Sequence, residues 1–323
     1  MRVMVTGATT PFGGALVGEL LASPAVEHVL AIGLEPVPVH LPEESRRLSY
    51  RGMDLTRRRS AHDLLFGTAH HLGIDCVVLG SLHRCTRDRG RRVHAINVEA
   101  TRELLLMCER HPTIRHFVFR SAADVYAVSH VEPNLLDEDQ PLEFDPSGPQ
   151  WLRDRVEADL TVCSRMGMSS LRIAVLRCAE VLAPESASQL WDYLESRVCL
   201  RPLGFDPMIN LLTQADAARA VLLAMGRGAQ GVYNIPGADT MPLSRIVRGF
   251  RRASVPVPGP LLAPLYRLRT RTVGFEFRYD LNMRRFHFGG ILDGSRARAW
   301  LGYAPEHHLV WPAALPAGQA AAA

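Results

Sequence analysis

A glycine-containing turn near the N-terminus is the first feature of this sequence whose residue types could do chemistry. Residues 6–14 read TGATTPFGG and stand between an apolar run and an amphipathic stretch. Gly7 is expected to make a tight turn, and Gly13 to let a helix approach a strand closely. The N-terminus of that helix would offer N–H groups and a positive dipole end to a pyrophosphate. The turn predicts a dinucleotide site formed by Gly7, Thr9, Thr10, Pro11, Phe12 and Gly13.

Two nearby residues qualify this prediction. Thr10 stands where a further glycine would let the backbone approach the phosphates, and its β-branched side chain takes up room there, although its hydroxyl could donate to a phosphate oxygen. Glu35 follows the second apolar run, where an acid would accept hydroxyl groups of the adenosine ribose. A carboxylate there repels a 2′-phosphate, which favours NAD over NADP. The alternatives are dinucleotide binding weakened by Thr10, and a Glu35 that is only a surface residue.

The basic residues exclude every mechanism that needs a lysine. All 37 of them are arginines, and the sequence contains no lysine. A Walker-type phosphate lysine, a Schiff base and a tyrosine–lysine catalytic pair are therefore excluded. A coding bias that favours arginine codons would explain the composition, but the chemistry is missing whatever the cause.

The composition and the spacing of charged and metal-ligating residues argue against several other kinds of site. The net charge of +4 is mild, and the arginine clusters are interleaved with acids and histidines, so we expect no nucleic-acid site. The six cysteines form no CxxC pair, and the histidine pairs lack a second pair of ligands, so we expect reduced thiols and no metal. No leader-like segment or long apolar run is present, which predicts a cytoplasmic protein without membrane contact.

Short apolar runs alternate with amphipathic stretches through the first half of the chain. This pattern predicts an α/β fold with a Rossmann-type, doubly wound parallel sheet, whose ligands bind at the carboxyl ends of the strands. After residue 180, proline and glycine interrupt the pattern, which indicates a smaller C-terminal substrate-type domain. We expect residues 1–178 and 207–236 in the Rossmann domain, residues 179–206 and 237–312 in the smaller domain, and a flexible tail at 313–323.

The order of motifs along nearly the whole chain resembles the extended short-chain dehydrogenase/reductase family, in particular its NAD-dependent epimerase/dehydratase group. The turn is similar to that family's TGxxGxxG, residues 231–235 (GVYNI) to its GxYNI strand, and residues 293–302 to its closing DxSRARxxLG helix. The resemblance implies NAD as cofactor and a small-molecule ligand such as a nucleotide sugar. It also implies further cofactor contacts from Asp54, Leu55, Leu79, Gly80, Ser81, Asn97, Ser121 and Arg155.

The catalytic positions depart from the family. It uses a serine or threonine, a tyrosine, and a lysine four residues after the tyrosine, and the matching positions here are Ala122, Trp151 and Arg155. Arg155 could keep a positive charge and a ribose hydrogen bond, but the indole N–H of Trp151 does not exchange a proton near neutral pH. The resemblance therefore implies a degenerate member in which no catalytic residue is intact.

Three hypotheses remain open at this point. The first is a catalytically degenerate protein that binds NAD or a nucleotide-sugar-like ligand and acts as a sensor, scaffold or subunit. The second is an active oxidoreductase or epimerase that uses substitute groups, for which the candidates are Ser121, Asp124, Tyr126 and Glu180. The third is an interaction protein without cofactor. Two long helices, over about 97–110 and 150–166, also allow a homodimer, although their apolar residues equally suit burial against the sheet.

Overall fold

The computed structural model describes residues 1–38, 41–42, 45–80, 90–130, 134–183, 186, 188–273 and 277–311. The strands are β1 (Arg2–Thr6), β2 (His28–Gly33), β3 (Leu48–Gly52), β4 (Cys76–Leu79), β5 (His116–Ala122), β6 (Leu135–Leu136), β7 (Arg172–Cys178), β8 (Glu180–Val181), β9 (Val198–Pro202), β10 (Met208–Leu212), β11 (Gly231–Ile235), β12 (Asp239–Pro242), β13 (Ala253–Val257) and β14 (Ile291–Leu292). The helices are α1 (Pro11–Ala22), α2 (Arg58–Asp63), α3 (Arg91–His94), α4 (Ala100–Glu109), α5 (Gln150–Cys163), α6 (Gln189–Glu195), α7 (Gln214–Arg227), α8 (Leu243–Gly249), α9 (Gly259–Val273), α10 (Tyr279–Phe288) and α11 (Ser295–Leu301).

Seven parallel strands form the central sheet in the order β11–β7–β5–β4–β1–β2–β3. The inner strands are apolar almost throughout, because helices cover both faces of such a sheet. The order reverses between β1 and β4, and ligands bind at such a switch point in open α/β sheets. The prediction of a Rossmann-type, doubly wound parallel sheet is confirmed.

Each face of the sheet has its own core. On one face, α1 packs against α7, and side chains such as Leu16 and Val221 are fully buried. On the other face, α4 and α5 bury Leu105 and Val162 against the strands. A π-helical turn over Ala95–Glu99 joins α3 to α4, and a second one over Leu64–Ala69 follows α2.

The later part of the chain builds a third core over the edge of the sheet. It contains the three-stranded sheet β12–β10–β8 and the pair β13–β9, packed around aromatic side chains such as Tyr193, Tyr266 and Phe277. Helix α11 buries Ala297 and Leu301 in the core beside α7 and β11. The domain bounds stay predictions, and the tail at 313–323 lies outside the described residues.

The apolar residues of the two long helices have different surroundings. Leu104, Leu105 and Met107 on α4 are buried within the chain, whereas Leu160 on α5 is partly exposed. Burial against the sheet therefore accounts for the α4 residues without a partner chain, and the homodimer stays a prediction.

Candidate cofactor-binding site

The glycine turn joins β1 to α1 at the switch point of the sheet. Gly7 has a φ of 68°, in the left-handed region that glycine adopts without strain. A Cβ atom on Gly13 would lie 2.1 Å from the carbonyl oxygen of Gly7, so only glycine fits between the helix and the turn. Both positions therefore require glycine for the local geometry.

Thr10 is the N-cap of α1. Its Oγ1 donates to the carbonyl oxygen of Gly7 at 2.7 Å and accepts from the N–H of Gly13 at 3.1 Å. Its hydroxyl proton is thus directed into the turn, whereas we had considered donation to a phosphate oxygen. Pro11 has no N–H, and the N–H of Gly14 donates to the Thr10 carbonyl at 2.8 Å. Of the first four residues of α1, Phe12 is therefore the one whose backbone N–H could bind an anion.

Glu35 lies beside the turn, just after β2 ends. The hydroxyl of Thr9 donates to Glu35 Oε2 at 2.6 Å, and this hydrogen bond is the main reason why the pKa of the exposed carboxyl is lowered. The hydroxyl of Tyr50 holds the Glu35 backbone, donating to its carbonyl oxygen at 2.6 Å. An ionised carboxylate therefore stands next to the glycine turn, in a position to accept hydrogen bonds from a ligand.

The other expected cofactor residues lie on both sides of the turn. Gly80 follows β4, and a Cβ atom there would lie 3.1 Å from the Thr6 carbonyl oxygen and 3.3 Å from the Phe12 ring. The half-exposed Asp54 caps its own loop, because its Oδ1 accepts from the N–H and hydroxyl of Thr56.

Three further residues complete the expected set within the described chain. Leu55 is partly buried, Leu79 ends β4, and Asn97 is buried within the π-helical turn before α4. Ser81 lies outside the described residues.

The three aligned catalytic positions come together at the carboxyl edge of the sheet. Ala122 ends β5, while Trp151 and Arg155 lie one turn apart in α5, and all three line one cleft. The water-accessible volume of this cleft is about 20 Å³, room for about one water molecule. The cleft is also lined by Arg120, Asp124, Glu180, Gln189 and Arg285.

Asp124 and Arg155, which both line the cleft, form a buried ion pair. The guanidinium of Arg155 also lies 4.7 Å from the centre of the Trp151 ring. Within the described part of the chain, Asp124 Oδ1 and Trp151 Nε1 are buried without a hydrogen-bond partner. Such atoms cost free energy when left unsatisfied, so they mark a place where a polar ligand group would fit.

Arg120 and Gln189 were not found from the sequence. The Arg120 guanidinium lies 4.1 Å from the centre of the Phe12 ring and donates to the Gly80 carbonyl oxygen at 3.4 Å. It thereby connects the glycine turn to the cleft. A charged residue near the end of an otherwise buried apolar strand was the available signal. Gln189 opens α6, in the region without motifs, and carried no comparable signal.

Ser121, expected as a cofactor contact or substitute group, is not brought to the cleft. Its hydroxyl donates to Asp159 Oδ2 on α5 at 2.5 Å, and the fully buried Asp159 also accepts from Arg177 at 2.7 Å. Alternation along β5 explains this, because neighbours on a strand face opposite sides of the sheet.

Tyr126 is likewise occupied away from the cleft. Its hydroxyl donates to Asn234 Oδ1 at 2.6 Å, and its ring lies beneath the Arg177 guanidinium. Burial raises the pKa of this tyrosine to about 12, which is unsuitable for proton transfer near neutral pH. These contacts give Tyr126 a packing role.

The cleft is rich in charge but poor in groups that exchange protons near neutral pH. The described lining residues include three arginines and two carboxylates, a formal charge of +1, and the buried thiol of Cys178, but no tyrosine, histidine, serine, threonine or lysine. Arginine stays protonated, and the carboxylates of Asp124 and Glu180 are ion-paired to Arg155 and Arg285. Such a lining suits binding of a hydroxylated or anionic group better than acid–base catalysis.

Other kinds of site find no support in the described ranges. No three histidine, cysteine, aspartate or glutamate side chains there are grouped closely enough to hold a metal ion. No described helix has the length and apolar character needed to cross a bilayer.

Known proteins resemble this chain in sequence and in fold. No family model matches it. Uncharacterised proteins of Mycobacterium bovis and Mycobacterium tuberculosis are 27% identical over 311 residues, covering 94% of this chain and 80% of theirs. The relatives therefore extend the sequence similarity over most of the chain without supplying an activity.

Solved structures cover nearly the whole chain. The UDP-glucose 4-epimerase of Thermotoga maritima with UDP-glucose (TM-score 0.70, 16% identity) covers 95% of this chain and 94% of its own. The Thermus thermophilus UDP-glucose 4-epimerase with NAD (TM-score 0.70, 16% identity) covers 96% and 95%. The dTDP-glucose 4,6-dehydratase of Streptomyces venezuelae with NAD and TYD (TM-score 0.70, 18% identity) covers 95% and 93%. The chain therefore has the fold of these nucleotide-sugar epimerases and dehydratases.

Proposed function

We propose that this chain binds NAD and acts as a ligand-binding or regulatory protein that lacks the acid–base chemistry of its structural neighbours. The glycine turn, the ionised Glu35 beside it and the NAD-bound structures of the same fold support the cofactor. Glu35 favours NAD over NADP, because its charge would repel a 2′-phosphate.

We infer from the geometry of the turn which residues of this chain would hold the cofactor. The Phe12 amide would face the pyrophosphate, Glu35 would accept the adenosine ribose hydroxyls, and Arg155 would lie near the cofactor's reactive end. Bound NAD supplies hydride acceptance. The left-handed φ of Gly7 and the close packing at Gly13 and at Gly80 beside the turn support this placement.

The observation that carries the proposed loss of catalysis is the lining of the cleft. Ala122, Trp151 and Arg155 meet there, and neither Ser121 nor Tyr126 replaces the missing hydroxyl groups. Loss of a general acid–base group typically costs about 10²–10⁴-fold in rate. We therefore infer that the chain is a binding protein for a small molecule, and a nucleotide sugar is the favoured class. We further propose that it resides in the cytoplasm.

Restoring the family residues tests this proposal. We expect Ala122→Ser/Trp151→Tyr/Arg155→Lys to bind NAD as the wild type does and to gain cofactor reduction, followed at 340 nm with a panel of nucleotide sugars. Arg155→Lys alone, which keeps the positive charge facing Asp124, serves as the control. Turnover by the wild type at a rate that the triple variant does not exceed would refute catalytic degeneracy.

A second candidate function is an active enzyme that uses Asp124 as its acid or base. The buried Asp124 Oδ1, which lacks a partner among the described residues, favours this alternative. Wild-type turnover that is abolished in Asp124→Asn, with NAD affinity retained, would establish it in place of the degenerate site.

A further inference from the structure

Helix α9 carries two apolar faces, and only one of them is covered by the rest of the chain. Leu262 and Tyr266, four residues apart, are buried in the third core, and the Tyr266 hydroxyl donates to the Leu200 carbonyl oxygen at 2.9 Å. This contact fixes the orientation of the helix on the β13–β9 pair. The neighbouring face of the helix is therefore turned outward.

The outward face is a stripe of leucines. Leu261, Leu265 and Leu268 lie at spacings of four and three residues, which places them on one side of a helix, and they are 53%, 38% and 57% exposed. Leu203 and Val255 are also exposed close by, since the Leu203 N–H donates to the Val257 carbonyl oxygen two residues before α9 begins. A contiguous exposed apolar surface of this kind indicates an interaction site.

Charge of a single sign surrounds this stripe. Residues 245–273 contain seven arginines and no aspartate or glutamate, in a chain whose net charge is only +4. Arg267 and Arg271 flank one side of the stripe, as helical spacing requires, whereas Arg269 on the other side donates to the Val198 carbonyl oxygen at 2.8 Å. Arg267 lies 3.7 Å from Asp280, which also pairs with Arg278, so this acid offsets little of the charge.

We propose that the outward face of α9 docks on an anionic lipid surface. A helix with an apolar stripe flanked by basic residues lies in the plane of a bilayer, where leucines enter the acyl boundary and arginines meet lipid phosphates. A second copy of the chain is a poorer occupant, because a two-fold interface would place the same arginine-rich surface on both sides. This proposal goes beyond NAD binding, does not depend on it, and departs from the expectation of no membrane contact that we drew from the sequence.

Vesicle co-sedimentation of the full chain tests the proposal. We expect binding to vesicles of phosphatidylcholine mixed with phosphatidylglycerol, weak binding to phosphatidylcholine alone, and a loss of affinity at high salt. Leu261→Ser/Leu268→Ser should lower the partition coefficient about tenfold or more, because it removes the most exposed leucines of the stripe. Arg267→Ser and Arg271→Ser should each lower it about fivefold.

The matched control is Val37→Ser/Met168→Ser, which removes two similarly exposed apolar side chains from the Rossmann part and should bind as the wild type does. Thermal unfolding checks that all variants fold. Absence of binding to anionic vesicles, or binding that the leucine variant retains, would overturn the proposal. So would a wild-type oligomer without vesicle binding that the leucine variant disperses, because it would assign the face to a second copy.

Discussion

The carboxylate of Asp124 and the guanidinium of Arg155 form an ion pair in which both side chains are more than nine-tenths buried. The pair joins the short turn after β5 to helix α5 at the carboxyl edge of the sheet. Arg155 stands at the position that the family resemblance assigns to a lysine. Its positive charge is paired with the carboxylate of Asp124.

The ion pair predicts strong coupling in stability. Arg155→Met leaves a buried carboxylate without its partner and should lower the free energy of unfolding by about 3–5 kcal/mol. Asp124→Leu/Arg155→Met removes both charges and should recover most of that loss, as a double-mutant cycle in urea would measure. Additive losses in the double variant would contradict the coupling.

Replacing the N-cap residue of α1 is expected to lower the stability of the helix and to raise the affinity for the cofactor. Thr10→Gly frees the Gly13 N–H and makes room for a pyrophosphate, so the Kd for NAD should fall about three- to tenfold. Stability should fall by only a few tenths of a kcal/mol, since glycine is tolerated at an N-cap.

Thr10→Ala is the control for this change, because it frees the same N–H but keeps the Cβ atom. It should cost about 1 kcal/mol and improve affinity less. Calorimetric titration of NAD with both variants measures the effect. Unchanged affinity in both would show that Thr10 does not limit binding.

Substitution of Tyr126 is expected to change the stability of the protein and to leave NAD binding unaffected. Tyr126→Phe leaves the buried Asn234 Oδ1 without its donor and should cost about 1–3 kcal/mol in urea unfolding, with no change in NAD affinity. Any turnover that the wild type proves to have should survive the substitution. A selective loss of turnover in a stable variant would make Tyr126 the acid–base group.

The contact between His307 and Asp216 predicts a pH dependence. Burial opposes ionisation of Asp216, but hydrogen bonds from the His307 side chain and from the backbone at Glu306 and His307 hold its pKa below the ordinary value. The same hydrogen bond raises the pKa of His307. The stability that His307 contributes is therefore complete below its unfolded pKa of about 6.5 and is lost as pH rises through the folded value.

Unfolding measurements across this range check the sign. The difference in stability between wild type and His307→Gln should shrink as pH rises from neutral into the alkaline range. Asp216 behaves in the opposite sense, because its contribution is lost as pH falls through its lowered pKa. A difference that grows with rising pH would contradict the assignment.

The sequence predicted the sheet well, because apolar runs such as Arg2–Thr6 and Cys76–Leu79 follow directly from burial on both faces. The resemblance to the family's motifs also placed Ala122, Trp151 and Arg155 together, and the spacing of four puts the last two on one face of a helix. Strand β3 was missed, because LSYRG is short and ends in polar residues at the sheet edge.

What the sequence could not supply was the direction of polar side chains. The hydroxyl of Thr10 points back to Gly7, and that of Ser121 points to Asp159, because each satisfies a partner that is distant in sequence or hidden in a turn. The role of Arg120 between Phe12 and Gly80 depends on the packing of three separate segments. Such contacts come from tertiary structure and leave no periodic signal.

The central claim is that a cofactor framework survives without acid–base machinery, and an equilibrium titration of the purified chain with NAD tests it most directly. We predict saturable binding with one NAD per chain that Gly13→Val abolishes, because a Cβ atom at residue 13 would collide with the Gly7 carbonyl. Circular dichroism would confirm that the variant is folded. No measurable binding at millimolar NAD by the wild type would contradict the account and leave an interaction protein without cofactor as the remaining hypothesis.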